Sequence, residues 1–193
     1  MINVSAAKGY TYKRKYWEDS AMSIRRDFFE NATELLTQLP RGAFLSVRSQ
    51  GVSNTMTIGW GMMGFIWRRP ILMVMVRFSR HTYGLMEASD TFTVSFPNSD
   101  GYKEMLAQAG KLSGRDMDKF KDLHIPIQEA QTADGPVIDN CGLIIECRTL
   151  YKQAMNPNDL DEEIRTSSYA NDDYHMLYFG EVVACYHNDQ AEV

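Results

Sequence analysis

Apolar residues at positions 28, 29, 32, 35, 36 and 39 recur at helical spacing, and Pro40 closes the run, so a helix is predicted from Phe28 to Leu39. Gly42 to Arg48 reads as a strand that turns at Ser49-Gln50-Gly51, and Ser53 to Trp60, alternating Thr, Met and Ile, as a second. Ile71 to Arg77 is a third strand, apolar on both faces. Ser79 to Ala88 predicts a short helix, Thr91 to Phe96 a fourth strand stopped by Pro97, and Tyr102 to Ala109 another helix before the loop Gly110 to Asp116. Further strands are predicted near 125–130, 142–152 and 174–186. Between the last two, residues 156–173 are rich in Asp, Glu, Asn and Ser and read as a surface excursion with a short helix, or as a lid over a pocket. Residues 1–22 lack periodicity and read as an arm, leaving 23–193 as a single domain. Many strands, few helices and short turns make the fold mainly β, favouring an antiparallel barrel with helical additions over a wound parallel sheet.

Composition narrows the function classes. Of 193 residues, 20 are basic and 25 acidic, a formal net charge of −5 that favours neither nucleic acid nor an anionic membrane surface. The basic run Lys13-Arg14-Lys15 sits among Tyr12, Tyr16 and Trp17 and reads as a solvated arm. No charged stretch followed by an apolar one marks a signal peptide. The longest apolar run, Ile71 to Val76, is strand-sized, far short of the ~18–20 residues a membrane helix requires. With three cysteines, an odd and small number, the expected compartment is a reducing cytoplasm. Cys141 and Cys147 are placed on one strand, roughly 20 Å apart at ~3.3 Å per residue. That is too far for a disulfide, which needs Cα atoms within about 7 Å, so they read as packing residues. His81, His124, His175 and His187 have no zinc spacing, and no metal is expected.

The stretch Gly59-Trp60-Gly61-Met62-Met63-Gly64 matches the literal dinucleotide pattern G-x-G-x-x-G. That fingerprint works because a helix begins inside it and receives the pyrophosphate at its N-terminus. Here five residues separate Gly64 from Pro70, and a strand follows, so neither the helix nor a parallel crossover has room. Glycines in a strand-to-strand connection serve instead for a bulge, a tight bend under Trp60, or close approach of backbone to a flat ligand.

A different phosphate site is suggested at Val76 to Tyr83. An apolar strand runs into Ser79, placed as the N-cap of a helix, with Arg77, Arg80, His81 and Thr82 around it. Free backbone N–H groups, two hydroxyls and two guanidinium groups suit a phosphate, although a capped surface helix with solvated arginines has the same pattern.

Taken in order, several segments resemble the flavin reductase-like family of FMN-binding split barrels, and within it the flavoredoxin-like branch. They are Asn54-Thr55-Met56-Thr57 with Gly59-Trp60-Gly61; Arg69-Pro70; Arg77 to Thr82; Phe92 to Pro97; Lys111 to Phe120; Cys141 to Cys147; and His175 leading to Gly180-Glu181-Val182. The resemblance covers about residues 38–186. It implies a six-stranded Greek-key barrel, acting as a homodimer with one FMN per subunit near the interface. Asn54, Thr55, Met56 and Thr57 would lie along the isoalloxazine and ribityl chain, largely through backbone groups. Arg77, Ser79, Arg80, His81 and Thr82 would hold the phosphate, and Ser95 and Phe96 would edge the cofactor. The loop with Lys111, Ser113, Gly114, Arg115 and Asp116, continuing to Lys119 and Phe120, would line the pocket; read alone, it is a glycine turn with Asp116 capping a short helix. His175 would face the open side of the flavin, where nicotinamide approaches, though a lone histidine there also fits a satisfied barrel residue.

The implied activity is hydride transfer between NADH or NADPH and FMN, acting on a small-molecule substrate. The alternatives are a flavoredoxin-type electron carrier serving a protein partner, and a barrel that binds flavin without redox work. Neither nucleic acid nor membrane is an expected partner. The long arm, the excursion at 156–173 and Arg69 where many relatives carry proline depart from the family pattern.

Overall fold

A computed structural model describes residues 23–189 with the exception of residue 26. The arm assigned to residues 1–22, with its Lys13-Arg14-Lys15 run, lies outside the described residues. Nine strands are found among them: β1 (Ala43–Ser49), β2 (Val52–Ile58), β3 (Gly61–Ile66), β4 (Arg69–Arg77), β5 (Thr91–Pro97), β6 (Ile127–Glu129), β7 (Pro136–Ile138), β8 (Gly142–Ala154) and β9 (His175–His187). Seven form one antiparallel sheet in the order β2-β1-β5-β8-β9-β4-β3, and β6 pairs with β7 as a separate ribbon. Residues 27–30 are helical, and the further helices among the described residues are α1 (Ala32–Gln38), α2 (His81–Glu87), α3 (Lys103–Lys111), α4 (Lys119–Asp122) and α5 (Glu162–Ser168).

The large sheet curls until β2, at one end of the order, packs against β4 near the other. Met56 and Ile58 of β2 and Leu72, Val74 and Val76 of β4 therefore share one buried cluster with Leu45, Phe92, Val94 and Ile145. Phe28, Leu35 and Leu39, from the helical segment ahead of β1, join this cluster while Leu36 faces outward. A second cluster lies on the opposite face of β1 and β8, where Phe44 and Ile144 meet Leu106 and Ala109 of α3 and Val137 and Ile138 of β7. Both faces of β1 and of the first half of β8 are thus covered, which is why Leu143, Ile144 and Ile145 follow one another without alternation. Each fully buried Phe or Leu here contributes roughly 1.5–3 kcal/mol relative to exposure.

The barrel expectation holds, with one strand more than the six implied. The addition is β3, which sequence patterning left as a glycine-rich connection. Its explanation lies at Gly61, where a Cβ would sit 2.7 Å from the Met73 carbonyl oxygen of β4. The close approach needs glycine; Gly64 has open space around it and shows no such demand. Strand β7 was also not foreseen. The helix predicted over Phe28 to Leu39 is interrupted by a turn at Asn31, and Leu39–Arg41 tighten into a 3-10 turn around Pro40.

Cys141 lies just ahead of β8 and Cys147 within it; both thiols, and that of Cys185, are free and buried. The excursion at 156–173 does carry a short helix, α5, capped by Asp161, whose side chain accepts from Glu163 N and Ile164 N. Among the described residues, no helix is long and apolar enough to cross a membrane.

Candidate functional site

The sheet's order leaves β2 with β1 on one side only. The Thr55 carbonyl points away from β1 and accepts from Lys119 Nζ at 3.0 Å. Because backbone groups alternate along a strand, Thr57 directs its N–H and C=O to the same free edge. Along this edge lies a cavity of about 170 Å³ lined by Met56, Thr57, Gly59, Trp60, Arg77, Arg80 and His175, among others. A second cavity of about 120 Å³ adjoins it, lined by Asn54, Ser79, His81, Thr82, Lys111, Ser113, Arg115 and Lys119. Met56 and Arg80 belong to both.

The second cavity is built for negative charge. Lys119 is 4 % exposed, and its ammonium donates to the Thr55 and Ala109 carbonyls at 3.0 and 2.7 Å. Burial, aided by nearby Arg80, pulls its pKa down to about 8. Burial followed by Arg115 and Lys119 lowers that of His81 as well. Arg80 donates to the Gly110 carbonyl at 2.8 Å, and Arg115 to the Ser79 carbonyl at 3.1 Å, so both guanidiniums are oriented. Asn54, 3 % exposed, donates to Thr82 Oγ1 at 2.9 Å. At Gly114 a Cβ would stand 2.3 Å from Asn54 Oδ1 and 2.8 Å from His81 Cδ2, so glycine is what lets the loop close on these side chains.

The first cavity is more aromatic. His175 is 6 % exposed and its Nδ1 lies 2.8 Å from the Tyr169 hydroxyl. Its ring centroid is 5.6 Å from that of Trp60. Burial, then the Arg77 guanidinium, brings its pKa down to about 4, so the imidazole is neutral at pH 7. Among the described residues Nε2 makes no hydrogen bond.

Most of the predicted residues converge here, and several placements differ from expectation. Ser95 and Phe96 line neither cavity. Ser95 is fully buried and accepts from Ile138 N at 3.1 Å, and Phe96 packs in the barrel core. Thr55 contributes backbone alone, since its hydroxyl pairs with Ser46 Oγ at 3.0 Å inside the sheet. Thr57 lines the first cavity while its hydroxyl donates to the Leu106 carbonyl at 2.5 Å. Ser79 is not the N-cap: α2 starts at His81 with Arg80 in the capping position, and no side chain caps it. Instead Ser79 donates its N–H and hydroxyl to the Asp173 carboxylate, at 3.2 and 2.6 Å. Arg77 donates to the Ser168 carbonyl at 3.0 Å and to that of Asp173, and its guanidinium lies 5.0 Å over the Tyr169 ring. Nor does Asp116 cap α4; Asp118 does, accepting from Phe120 N and Lys121 N.

Tyr169 and Asp173 were not foreseen, because they come from the excursion and reach β4 only through the tertiary fold. Met75 and Trp60, strand and corner residues by pattern, also line the first cavity.

A cation-lined hollow thus lies beside the free edge of a strand in an antiparallel barrel. The chain belongs to the flavin reductase-like domain family, whose profile matches residues 38–193. It is 26% identical over 150 residues to an uncharacterized protein of Archaeoglobus fulgidus, covering 78% of this chain and 74% of that one. Among solved structures, flavoredoxin from Methanosarcina acetivorans superposes with a TM-score of 0.62 at 22% identity, over 79% of this chain and 70% of that one. An FMN-binding protein from Thermus thermophilus, with p-hydroxybenzaldehyde bound, gives 0.60 at 23% identity over 75% and 70%. An NADH:FAD oxidoreductase from Streptomyces globisporus gives 0.59 at 14% identity over 76% and 74%. These likenesses are of fold.

Proposed function

We propose that the chain is a flavoprotein oxidoreductase that holds FMN across the two cavities and moves hydride between NADH or NADPH and the flavin. The supporting observation is the junction at Met56 and Arg80, where a hollow lined by Arg80, Lys111, Arg115 and Lys119 meets one bounded by strand edge and aromatic rings. The residues fit the group: oriented cations and hydroxyls for a phosphate, outward backbone groups of β2 for a polar ring edge, and Gly114 where any side chain would intrude. Its size, about 120 Å³, suits a terminal phosphate better than an adenylate, which favours FMN over FAD. Each cavity is smaller than a whole nucleotide, so the cofactor would lie along the surface between them.

FMN, when bound, supplies a ring that accepts and returns a hydride. The protein's share is to hold that ring against β2, leave one side open near Trp60, and keep His175 uncharged beside a nicotinamide ring that becomes positively charged as it gives up its hydride. A homodimer fits the exposed apolar face, where Phe29 meets Phe65 at 6.4 Å and Trp67 meets Tyr151 at 6.2 Å between ring centroids. The three free thiols fit a reducing cytoplasm.

The test is a visible spectrum of the purified protein reconstituted with FMN, followed by anaerobic mixing with NADH and NADPH. A bound flavin whose band bleaches rapidly with either reductant is expected. Bleaching by dithionite alone would move the assignment to a flavoredoxin-type carrier serving a protein partner. No flavin retained would refute both.

A further inference from the structure

A third hollow, of about 640 Å³, opens beside the first cavity and shares Gly59, Trp60 and Met75 with it. One wall is Leu36 and Leu39 from the α1 region; the other is Leu160, Ile164 and Tyr169 of the excursion. None of its lining residues carries a charge. The volume lies within the ~300–1,000 Å³ usual for small-molecule sites.

Two details set this hollow apart from ordinary surface. Ile164 is the one apolar residue of α5 and is 49 % exposed, yet it is turned to the hollow rather than to the barrel core. Leu36, 52 % exposed, faces it from the opposite side. The polar atoms available are few. The Tyr169 hydroxyl already pairs with His175, and Trp60 stands between the two cavities with its ring 6.5 Å from that of Tyr169. A charged molecule entering here would lose its hydration with no counter-charge to replace it, whereas an uncharged ring would trade water for Leu, Ile, Met and Trp.

We infer that this compartment binds a neutral, ring-containing organic molecule, held by the excursion next to the cavity assigned to the flavin. The binding site stands on the hollow itself; its place as the substrate side of a redox centre rests on the flavin reading above. The excursion, long and outside the family pattern, is thereby the element that selects the molecule. A polar or ionic substrate would be excluded, and a cyclic ketone, phenol or quinone admitted.

Isothermal titration calorimetry on the full chain tests this with 2-naphthol, neutral at pH 7, against 2-naphthoate, the same ring bearing a carboxylate. The naphthol is expected to bind, and the naphthoate at least about tenfold more weakly. Ile164→Glu and Leu36→Glu place a carboxylate on opposite walls at exposed positions that folding tolerates. Each should weaken the naphthol at least about tenfold while FMN affinity, read by flavin fluorescence quenching, stays within about twofold. Three results would overturn the inference: no naphthol binding, which residues 1–22 or a second copy filling the hollow would produce; equal binding of both probes; or a naphthol affinity indifferent to both substitutions. FMN binding without naphthol binding overturns the inference alone. Naphthol binding with the expected variant pattern, but no FMN binding, supports the site and overturns the flavin reading.

Discussion

Acid should unfold this protein in part through His175. The imidazole's proton affinity drops from an ordinary 6.5 to about 4 in the folded state, first through burial and second through the Arg77 guanidinium. Arg80 acts in the same direction, and Asp173 opposes both. The unfolded chain therefore takes up a proton as pH falls through 6.5, while the folded chain resists until about 4. The stabilisation is present in full above pH ~6.5 and is lost progressively between there and pH ~4. At ~1.36 kcal/mol per tenfold change in proton affinity, the ceiling is about 3 kcal/mol, and roughly 2 kcal/mol should be lost between pH 7 and pH 4.5. His175→Gln keeps a polar side chain beside Tyr169 and removes the titration. Urea unfolding followed by circular dichroism at the two pH values, for both proteins, isolates the effect, since titrating carboxylates are common to both. The wild type should lose roughly 2 kcal/mol more than the variant. A difference below about 0.5 kcal/mol would refute the claim that this ring is held neutral by its surroundings.

Gly114→Ala should force Asn54 off Thr82 or push the loop outward; with one hydrogen bond of about 0.5–1.5 kcal/mol at stake, FMN affinity should fall about three- to tenfold, measured by fluorescence titration. Unchanged affinity would detach this loop from the flavin. Glu146 offers the contrasting case: fully buried, it accepts from Gln131 N, Thr132 N and Ala133 N at 2.7, 2.7 and 2.8 Å and from the Tyr186 hydroxyl at 2.7 Å. Glu146→Gln replaces one accepting oxygen by a donor and should cost about 1.5–3 kcal/mol in urea unfolding while leaving FMN affinity within about twofold.

Hydrophobic periodicity was enough to locate β1, β2, β4, β5, β8 and β9, because each buries at least one face and so carries a regular signal. It missed β3, where glycines and half-exposed methionines replace alternation, and the three-residue β7, too short for any period. Local chemistry misjudged caps for a related reason. Ser79 is a good capping residue in isolation, yet Asp173, distant in sequence, claims its hydroxyl and N–H. Asp116 and Asp118 are equivalent by composition, and the backbone course after Gly114 decides between them. The gathering of Asn54, Arg80, His81, Lys111 and Ser113 was legible through motif order. Lys119's burial and Tyr169's approach to His175 were not, since both depend on which face a distant segment presents.

Arg77, which ends β4, and Ser79, on the turn that leads into α2, are also the pegs from which the β8–β9 connection hangs through Ser168 and Asp173. Cutting that connection down to a tight hairpin would release a hydroxyl and an amide to the anion hollow and a guanidinium to the cavity beside it. Shortening this one segment would thus alter cofactor retention and substrate choice together, and the two traits would not be separable by exchanging it.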